Sequence, residues 1–162
     1  MIRKKILLLG DFSVGKTSLV KRFLDGTFDE KYLTTIGVRI SKKIVTLNEV
    51  ECEMIIWDIE GSTPRKKISL GYYRGASGAI FVGDVTRHET IDALVHHKEI
   101  FLSENPDSKF VVAYNKVDLL NSIAKDRIEL EIENDSDIFL TSAKDDQNVE
   151  DLFIKLMDNM LK

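Results

Sequence analysis

A short segment near the start of the chain has the residue types and spacing of a phosphate-binding loop. Residues 10–17 read Gly-Asp-Phe-Ser-Val-Gly-Lys-Thr and directly follow the apolar run 6–9. The glycines of such a loop let successive backbone N–H groups turn onto phosphate oxygens, and the next helix points its positive end at them. Lys16 is long enough to reach the outer phosphates, and the Thr17 hydroxyl is a suitable Mg²⁺ ligand. The fixed positions of the pattern make an accidental glycine-rich turn the weaker interpretation.

A carboxylate follows a second apolar run. Residues 58–61 read Asp-Ile-Glu-Gly and come directly after the run 54–57. The carboxylate could hold Mg²⁺ from the side opposite Thr17, through water, because Mg²⁺ keeps several of its waters. The Gly61 N–H could bond a terminal phosphate. D-x-x-G alone is a weak signal, and a solvated turn carboxylate is the alternative, but the position of Asp58 after a strand favours the metal role.

A third segment could select a nucleotide base. Residues 115–118 read Asn-Lys-Val-Asp and follow the apolar run 110–114. The Asp118 carboxylate could accept hydrogen bonds from the ring N–H and the exocyclic amine of guanine, a donor pair that adenine lacks. A turn rich in Asn and Asp, common after strands, is an equally weighted alternative for this segment alone.

A fourth segment, residues 141–144, reads Thr-Ser-Ala-Lys and follows the run 138–140. The Ala143 N–H could bond the guanine carbonyl oxygen, and the stems of Lys116 and Lys144 could pack along the base and sugar. The alternative is an N-cap for the last helix, because Ser and Thr are good caps. By itself this segment indicates little.

Apolar runs alternate with helical patterns along the whole chain. The predicted strands are residues 6–9, 40–47, 50–58, 79–82, 110–114 and 138–140. The predicted helices are residues 16–24, 64–73, 89–102, 123–133 and 149–161. This alternation is typical of a three-layer α/β fold, with about five helices on both faces of a six-stranded, mostly parallel sheet that has one antiparallel edge strand. Ligands of such sheets bind beyond the carboxyl ends of the strands, where the four segments fall.

Composition limits the class of protein. A chain of 162 residues, 43% of them hydrophobic, is the size of a single domain. It has no apolar run long enough to span a membrane and no signal-peptide cleavage site. The net charge of −4 argues against a general nucleic-acid binder. With Cys52 as the only cysteine, a reducing cytoplasmic setting is expected, and Cys52 itself is expected to be a small buried hydrophobe. His96 and His97 lack a carboxylate at metal-ligand spacing and are expected at the surface or in packing.

The order and spacing of the four segments resemble a small GTPase of the Ras superfamily, most closely of the Rab branch. The resemblance covers residues 4 to about 160 of the sequence. Further segments that carry it are Tyr-Leu-Thr-Thr-Ile-Gly-Val at 32–38, Ile-Trp-Asp at 56–58, Tyr-Tyr-Arg-Gly-Ala at 72–76 and Asp-Val-Thr at 84–86. The resemblance implies the phosphate-loop NTPase fold called the G domain, GTP and GDP as ligands, and Mg²⁺ as the cofactor.

The resemblance also implies roles for individual residues. Thr35 would lie in a mobile switch loop and bind Mg²⁺ only when the third phosphate is present, and Phe28 would pack edge-on against guanine. The predicted metal ligands are Thr17, Thr35 and Asp58. The predicted catalytic residues are Lys16, Thr35, Glu60, Gly61 and Ser62. The predicted nucleotide contacts are Ser13, Val14, Gly15, Lys16, Thr17, Ser18, Phe28, Asn115, Lys116, Asp118, Ser142, Ala143 and Lys144.

The second switch departs from the family pattern. Where the family usually reads D-T-A-G-Q, residues 58–62 read Asp-Ile-Glu-Gly-Ser. The missing Gln is the residue that orients the attacking water, and Ser62 is too short to replace it. Glu60 would be repelled by the terminal phosphate unless it turns away or meets a cation. We expect slow hydrolysis because added negative charge opposes stabilisation of the transition state; the alternative is that Glu60 itself positions the water.

Three other positions depart from the family. Phe12 stands where the family has a small residue and would crowd the path of an activating arginine, unless its ring points outward. Ile40 stands where Rab proteins often have Phe, beside Trp57 and Tyr72 in the surface that reads the switch state. The sequence ends at Lys162 without a cysteine-bearing tail; either such a tail was removed or the protein is soluble, and membrane attachment is expected only if a lipidated tail exists.

The expected function is that of a monomeric molecular switch that binds GTP or GDP with Mg²⁺ and hydrolyses GTP slowly. Effectors, exchange factors and activating proteins are the expected partners, through residues 30–40 and 58–75. The alternative is a GTP-loaded interaction module with negligible hydrolysis.

Overall fold

A computed structural model describes residues 1–25, 37–60 and 68–162, together with the backbone of residues 30–33. Within this part of the chain, seven strands form one sheet in the spatial order β2-β3-β4-β1-β5-β6-β7. The strands are β1 Ile2–Leu9, β2 Glu30–Leu33, β3 Val38–Leu47, β4 Val50–Ile59, β5 Gly78–Asp84, β6 Lys109–Asn115 and β7 Ile138–Leu140. The β2–β3 and β3–β4 pairs are antiparallel, and the other neighbouring pairs are parallel.

Helices cover both faces of the sheet. They are α1 Lys16–Leu24, α2 His88–Asp92, α3 Leu94–Glu104, α4 Ser122–Ile132 and α5 Val149–Leu161. On one face α1 and α5 pack together, with the rings of Phe23 and Phe153 stacked at 4.1 Å. On the other face Phe101 of α3 packs edge-on against Phe81 of β5. Every residue of β5 is buried, as its continuous apolar run predicts for a strand covered on both sides.

The predicted α/β fold is confirmed, and the six expected strands are all present. The additional strand β2 escaped prediction because its sequence, Glu-Lys-Tyr-Leu, has two charges and no apolar run. The helix expected at 89–102 is present as two segments, α2 and α3, which meet at Ala93, where φ is −66° and ψ is −17°. The helix expected at 64–73 lies partly outside the described residues, and its described end is a short 3₁₀ turn, Leu70–Tyr72.

The topology gathers the candidate site at one edge of the sheet. In β1 and β4, Leu8 lies beside Asp58, so the end of β1 and the first acidic segment are neighbours. In β5 and β6, Asp84 lies beside Asn115. The four chemical segments of the sequence therefore meet at the carboxyl ends of parallel strands, as expected for this fold. No helix in the described part of the chain is long and apolar enough to cross a membrane.

Candidate nucleotide-binding site

The loop between β1 and α1 is shaped by two glycines that no other residue could replace without a clash. Gly15 has a φ of +102°, and a Cβ added there would collide with the Asn115 side-chain amide. A Cβ on Gly10 would collide with the Val82 carbonyl oxygen. The loop therefore packs directly against the ends of β5 and β6, and its backbone is held close to residues 115–118, the segment expected to select the base.

Lys16 is buried at the start of α1, with 5% of its surface exposed. Its ammonium donates hydrogen bonds to the carbonyl oxygens of Gly10 at 3.1 Å and Asp11 at 3.0 Å. Burial lowers the pKa of Lys16 from 10.5 to about 8, although the carboxylates of Asp58, Asp11 and Glu60 oppose this shift. An anion bound beside this amine would favour its charged form, so the site is suited to a phosphate.

Thr17 and Asp58 come together across the site. The Thr17 hydroxyl donates a hydrogen bond of 2.6 Å to Oδ2 of Asp58, whose side chain is buried. No group of three or more His, Cys, Asp or Glu residues suited to a metal occurs among the described residues. A cation here would therefore complete its shell with water or ligand oxygens, which is the habit of Mg²⁺. The hydroxyl and carboxylate fit that ion.

Asn115 joins three parts of the site. Its amide nitrogen donates to the Val14 carbonyl oxygen at 3.0 Å, and its amide oxygen accepts from the Thr141 hydroxyl at 3.0 Å. The side chain is almost fully buried. Asn115 therefore fastens the phosphate loop to the ends of β6 and β7, and its role as a nucleotide contact stays a prediction.

The carboxylate proposed to read the base is also held in place. Oδ1 of Asp118 accepts a hydrogen bond of 2.8 Å from the Ser142 hydroxyl. That hydroxyl in turn accepts from the Asp145 N–H at 3.0 Å. Asp118 thus has a fixed acceptor edge, with the remaining oxygen lone pairs available to a ligand.

Lys116 links the base segment to the phosphate loop. It lies in the left-handed region with a φ of +68°, and its ammonium donates to the Ser13 carbonyl oxygen at 2.8 Å. The same ammonium lies 3.0 Å from Oδ2 of Asp84. Burial alone would raise the pKa of Asp84, but hydrogen bonds from Thr86 and the Lys116 ammonium hold that pKa below its usual range.

Arg22 is a contact that the sequence did not reveal. Its guanidinium donates to the Ala143 carbonyl oxygen at 2.8 Å and to the Lys144 carbonyl oxygen at 2.9 Å, across more than 120 residues of chain. It lies in the last turn of α1. The helix that begins at the phosphate loop therefore also fastens the loop expected to contact guanine.

The outer side of the phosphate loop has two more contacts that the sequence missed. Nε2 of His97 lies 2.9 Å from Oδ1 of Asp11. The Arg87 guanidinium donates to the Phe12 carbonyl oxygen at 2.9 Å. The expectation that His97 serves packing was incomplete, because it also pairs with a carboxylate distant in sequence. Cys52 is buried in β4, as expected.

The remaining candidates border an open cavity of about 360 Å³. The Phe12 side chain lines it and is 55% exposed. Glu60 lines it as well, and the Glu60 N–H donates to the Gly37 carbonyl oxygen at 2.9 Å. The described residues around this cavity also include Ser13, Val14, Gly15, Lys16, Thr17, Ser18, Asp58 and Lys116. Four candidates lie outside the described residues, namely Phe28, Thr35, Gly61 and Ser62.

The site combines a strand–loop–helix cradle with the Thr17 hydroxyl, the Asp58 carboxylate facing it, and the polar ends of β6 and β7. These features define a phosphate-loop nucleotide-binding protein. Residues 5–162 match the model of the Ras family, and the chain belongs to that family, in its Rab branch. Its members are GTP-binding small GTPases that act as switches, in general with Mg²⁺ and through effectors and regulators. The resemblance found in the sequence is therefore confirmed.

Individual relatives agree with this assignment. The chain is 35% identical to Ras-related protein Rab-12 of Homo sapiens over 98% of its own length and 67% of that protein. It is 36% identical to Ras-related protein Rab7 of Drosophila melanogaster over 98% of its length and 80% of that protein. It is 34% identical to Ras-related protein RABF2a of Arabidopsis thaliana, covering 96% and 80% respectively.

Proposed function

We propose that this chain is a guanine-nucleotide switch that binds GTP and GDP tightly with Mg²⁺ and hydrolyses GTP slowly. The observation that carries the proposal is the 2.6 Å contact of the Thr17 hydroxyl with Asp58 beside the buried Lys16 amine. Thr17, Asp58 and Lys16 line one cavity, which supports their proposed roles as Mg²⁺ ligands and phosphate contact. Thr35 is proposed as a further Mg²⁺ ligand from the family pattern.

The base is proposed to be guanine. Asp118 would accept hydrogen bonds from the ring N–H and the exocyclic amine, and the Ala143 N–H would donate to the carbonyl oxygen. The fixed position of Asp118 on Ser142 supports this role, because a preoriented acceptor loses less entropy on binding. A base without the donor pair would cover this half-buried carboxylate and leave its free oxygen lone pairs without donors.

Binding of the phosphates is proposed to depend on backbone N–H groups of residues 13–18 and on Lys16. The Lys16 ammonium would stabilise the negative charge that shifts onto the terminal phosphate oxygens during attack by water. Thr17 and Asp58 would hold Mg²⁺, which when bound would neutralise part of the phosphate charge.

Two results would establish the ligand. The nucleotide that stays bound through purification is expected to be GTP or GDP, identified by chromatography after denaturation. Unlabelled GTP, but not ATP, should displace a fluorescent GDP analogue in the presence of Mg²⁺. Displacement by ATP and GTP at similar concentrations would contradict the proposal.

Slow hydrolysis is proposed because Ser62 replaces the usual Gln and because Glu60 borders the same cavity as Lys16 and Thr17. A carboxylate there opposes the build-up of negative charge in the transition state. Single-turnover hydrolysis of preloaded GTP should be slow in the wild type and faster in Ser62→Gln. An unchanged rate in Ser62→Gln would show that the missing Gln does not limit hydrolysis.

A GTP-loaded interaction module with negligible hydrolysis is the second candidate function, favoured by the same placement of Glu60. The same single-turnover measurement separates the two. A wild type that converts none of its GTP over many hours, while Ser62→Gln turns over, would favour the interaction module.

We further propose that Phe12 prevents a standard arginine-finger activator from working on this protein. The exposed ring at the rim of the cavity supports this, and so does the Arg87 hydrogen bond that fixes the Phe12 backbone. Catalytic fragments of arginine-finger activators should accelerate hydrolysis in Phe12→Gly but not in the wild type. Acceleration of the wild type would refute the block.

Partners are proposed to read the face of β3 and β4 next to the switches. Ile40 of β3 lies opposite Trp57 of β4, and the Trp57 and Tyr72 rings are 6.5 Å apart. These half-buried apolar side chains adjoin residues 30–40 and 58–75, the segments whose order would change with the nucleotide. Binding partners captured with GTP-loaded wild type should be lost with Ile40→Asp.

A further inference from the structure

A small second cavity lies against the cavity of about 360 Å³ around the phosphate loop, which we call the phosphate cavity. It has a volume of about 100 Å³ and is lined by Thr17, Gly37, Arg39, Asp58 and Glu60. Three of these, Thr17, Asp58 and Glu60, also line the phosphate cavity. The two cavities therefore share a wall, and Arg39 adds a cation on its far side.

The register of β3 and β4 explains why this cation is there. Arg39 lies directly opposite Asp58 in the antiparallel pair, and Val38 lies opposite Ile59. Beyond them the Glu60 N–H donates to the Gly37 carbonyl oxygen at 2.9 Å, so the two segments remain hydrogen-bonded as far as Glu60.

Strand geometry then places the charges on one face. Side chains alternate between faces, so those of Asp58 and Glu60, two residues apart, share the face of Arg39. Residues that are diagonal neighbours across an antiparallel pair lie about 7–8 Å apart, within reach of long side chains. The guanidinium of Arg39 therefore belongs to the same charged group as the Asp58 and Glu60 carboxylates.

The charge of Glu60 reaches the phosphate site. Its carboxylate is one of the three that favour the charged form of Lys16. The same carboxylate that attracts the Lys16 ammonium would repel a phosphate bound beside that ammonium.

We propose that Arg39 is a positioning residue that offsets Glu60 beside the terminal phosphate and thereby sets the preference of this protein for GTP over GDP. This inference rests on the proposed function. GDP lacks the third phosphate, which is the group that would approach Glu60. Loss of Arg39 should therefore weaken GTP binding more than GDP binding.

The experiment measures the affinities of GDP and of a non-hydrolysable imido analogue of GTP, by competition with fluorescent GDP in excess Mg²⁺. The ratio of the two affinities should move about tenfold toward GDP in Arg39→Ala and about tenfold toward the GTP analogue in Glu60→Ala. Arg39→Lys, which keeps the charge, should stay near the wild-type ratio. In Arg39→Ala/Glu60→Ala, the ratio should return to within about threefold of the wild type.

Arg3 provides a matched control. It makes an ion pair of 3.1 Å with Glu53, so it also bridges to β4, but at the opposite end of the strand from the cavities. Arg3→Ala should leave the affinity ratio unchanged, which separates the local charge from a general effect of losing an arginine.

The outcomes are distinguishable. Equal weakening of both nucleotides in Arg39→Ala, or an unchanged ratio, would assign Arg39 a structural role and overturn the inference while leaving the switch function intact. If Arg39→Ala does not fold, Glu60→Ala decides, since an unmoved ratio there refutes the inference. A wild type that binds neither nucleotide would overturn the proposed function itself.

Discussion

The two sides of the phosphate loop are built differently. On the side expected to hold the base, hydrogen bonds of buried or half-buried side chains join separate segments. Asn115 bonds to Val14 and Thr141, and Asp118 bonds to Ser142. No buried side-chain nitrogen or oxygen in the described part of the chain lacks a hydrogen-bond partner. On the switch side, Glu60 is exposed and Arg39 only half-buried.

Under the proposed function, this difference would separate binding of the nucleotide from its hydrolysis. The base side follows the family pattern residue by residue and is rigidly supported, so its acceptors are in place before a ligand arrives. The switch side carries the departures Glu60, Ser62 and Phe12, and it borders the group that would react. A chain can therefore keep the family's grip on the nucleotide while its rate of hydrolysis changes.

The largest expected effect is the loss of nucleotide binding on removal of Lys16, the residue of the phosphate loop that both sides adjoin. Lys16→Ala should weaken GDP binding about a thousandfold, because removing one partner of a buried charge pair costs about 3–5 kcal/mol. Titration with fluorescent GDP measures this. Lys21→Ala, an exposed lysine of the same helix, is the control and should bind like the wild type. A loss below tenfold for Lys16→Ala would contradict the proposed phosphate contact.

The pH dependence of stability should reveal the buried amine. The pKa of Lys16 falls from 10.5 to about 8 in the folded, nucleotide-free chain, so between these values the unfolded chain binds the extra proton. The penalty for burying the charged amine is present below pH 8 and disappears as the pH rises. The free energy of unfolding of the nucleotide-free wild type, measured in urea relative to Lys16→Met, should rise by about 3 kcal/mol across this window. A difference independent of pH would refute the shift.

A smaller effect is expected on the base side. Asp118→Asn should weaken binding of guanine nucleotides about fiftyfold, because its amide group presents a donor where the base also donates. The weak binding of ATP should not fall in parallel. Asp126→Asn on the exposed face of α4 is a control of the same chemistry. Equal losses for GTP and ATP would show that Asp118 supports the fold and does not read the base.

The smallest effect tests the support of that side. Arg22→Ala should speed GDP release about fivefold, since it removes two exposed hydrogen bonds to the Ala143 and Lys144 carbonyl oxygens. Stopped-flow release of fluorescent GDP measures the rate, with Arg127→Ala on α4 as the control. An unchanged release rate would mean that the segment at Ala143 and Lys144 keeps its conformation without the Arg22 hydrogen bonds.

The sequence predicted the site best where local chemistry determines it. Gly15, Lys16 and Thr17 must stand in a fixed order after a strand, and the parallel sheet then dictates that Asp58 and Asn115 meet them. Contacts between distant segments carry no such signal. Nothing near Arg22 or His97 in the sequence indicates their partners, which lie 121 and 86 residues away.

The cation beside Glu60 shows the same limit. The sequence predicts that Glu60 needs a cation or must turn away, but only the pairing of β3 with β4 identifies Arg39 as the neighbour. A shift of one residue in that register would send Arg39 to the other face of the sheet. Strand register follows from packing of the whole domain and not from local pattern.

The separation of binding from hydrolysis is tested most directly by following preloaded GTP on the wild type and on Ser62→Gln, with release and conversion to GDP recorded in the same sample. We expect the wild type to release GTP slowly and to convert it more slowly still, and Ser62→Gln to convert it faster with an unchanged release rate. Rapid conversion by the wild type, or release so fast that no GTP is retained, would contradict the separation of binding from hydrolysis.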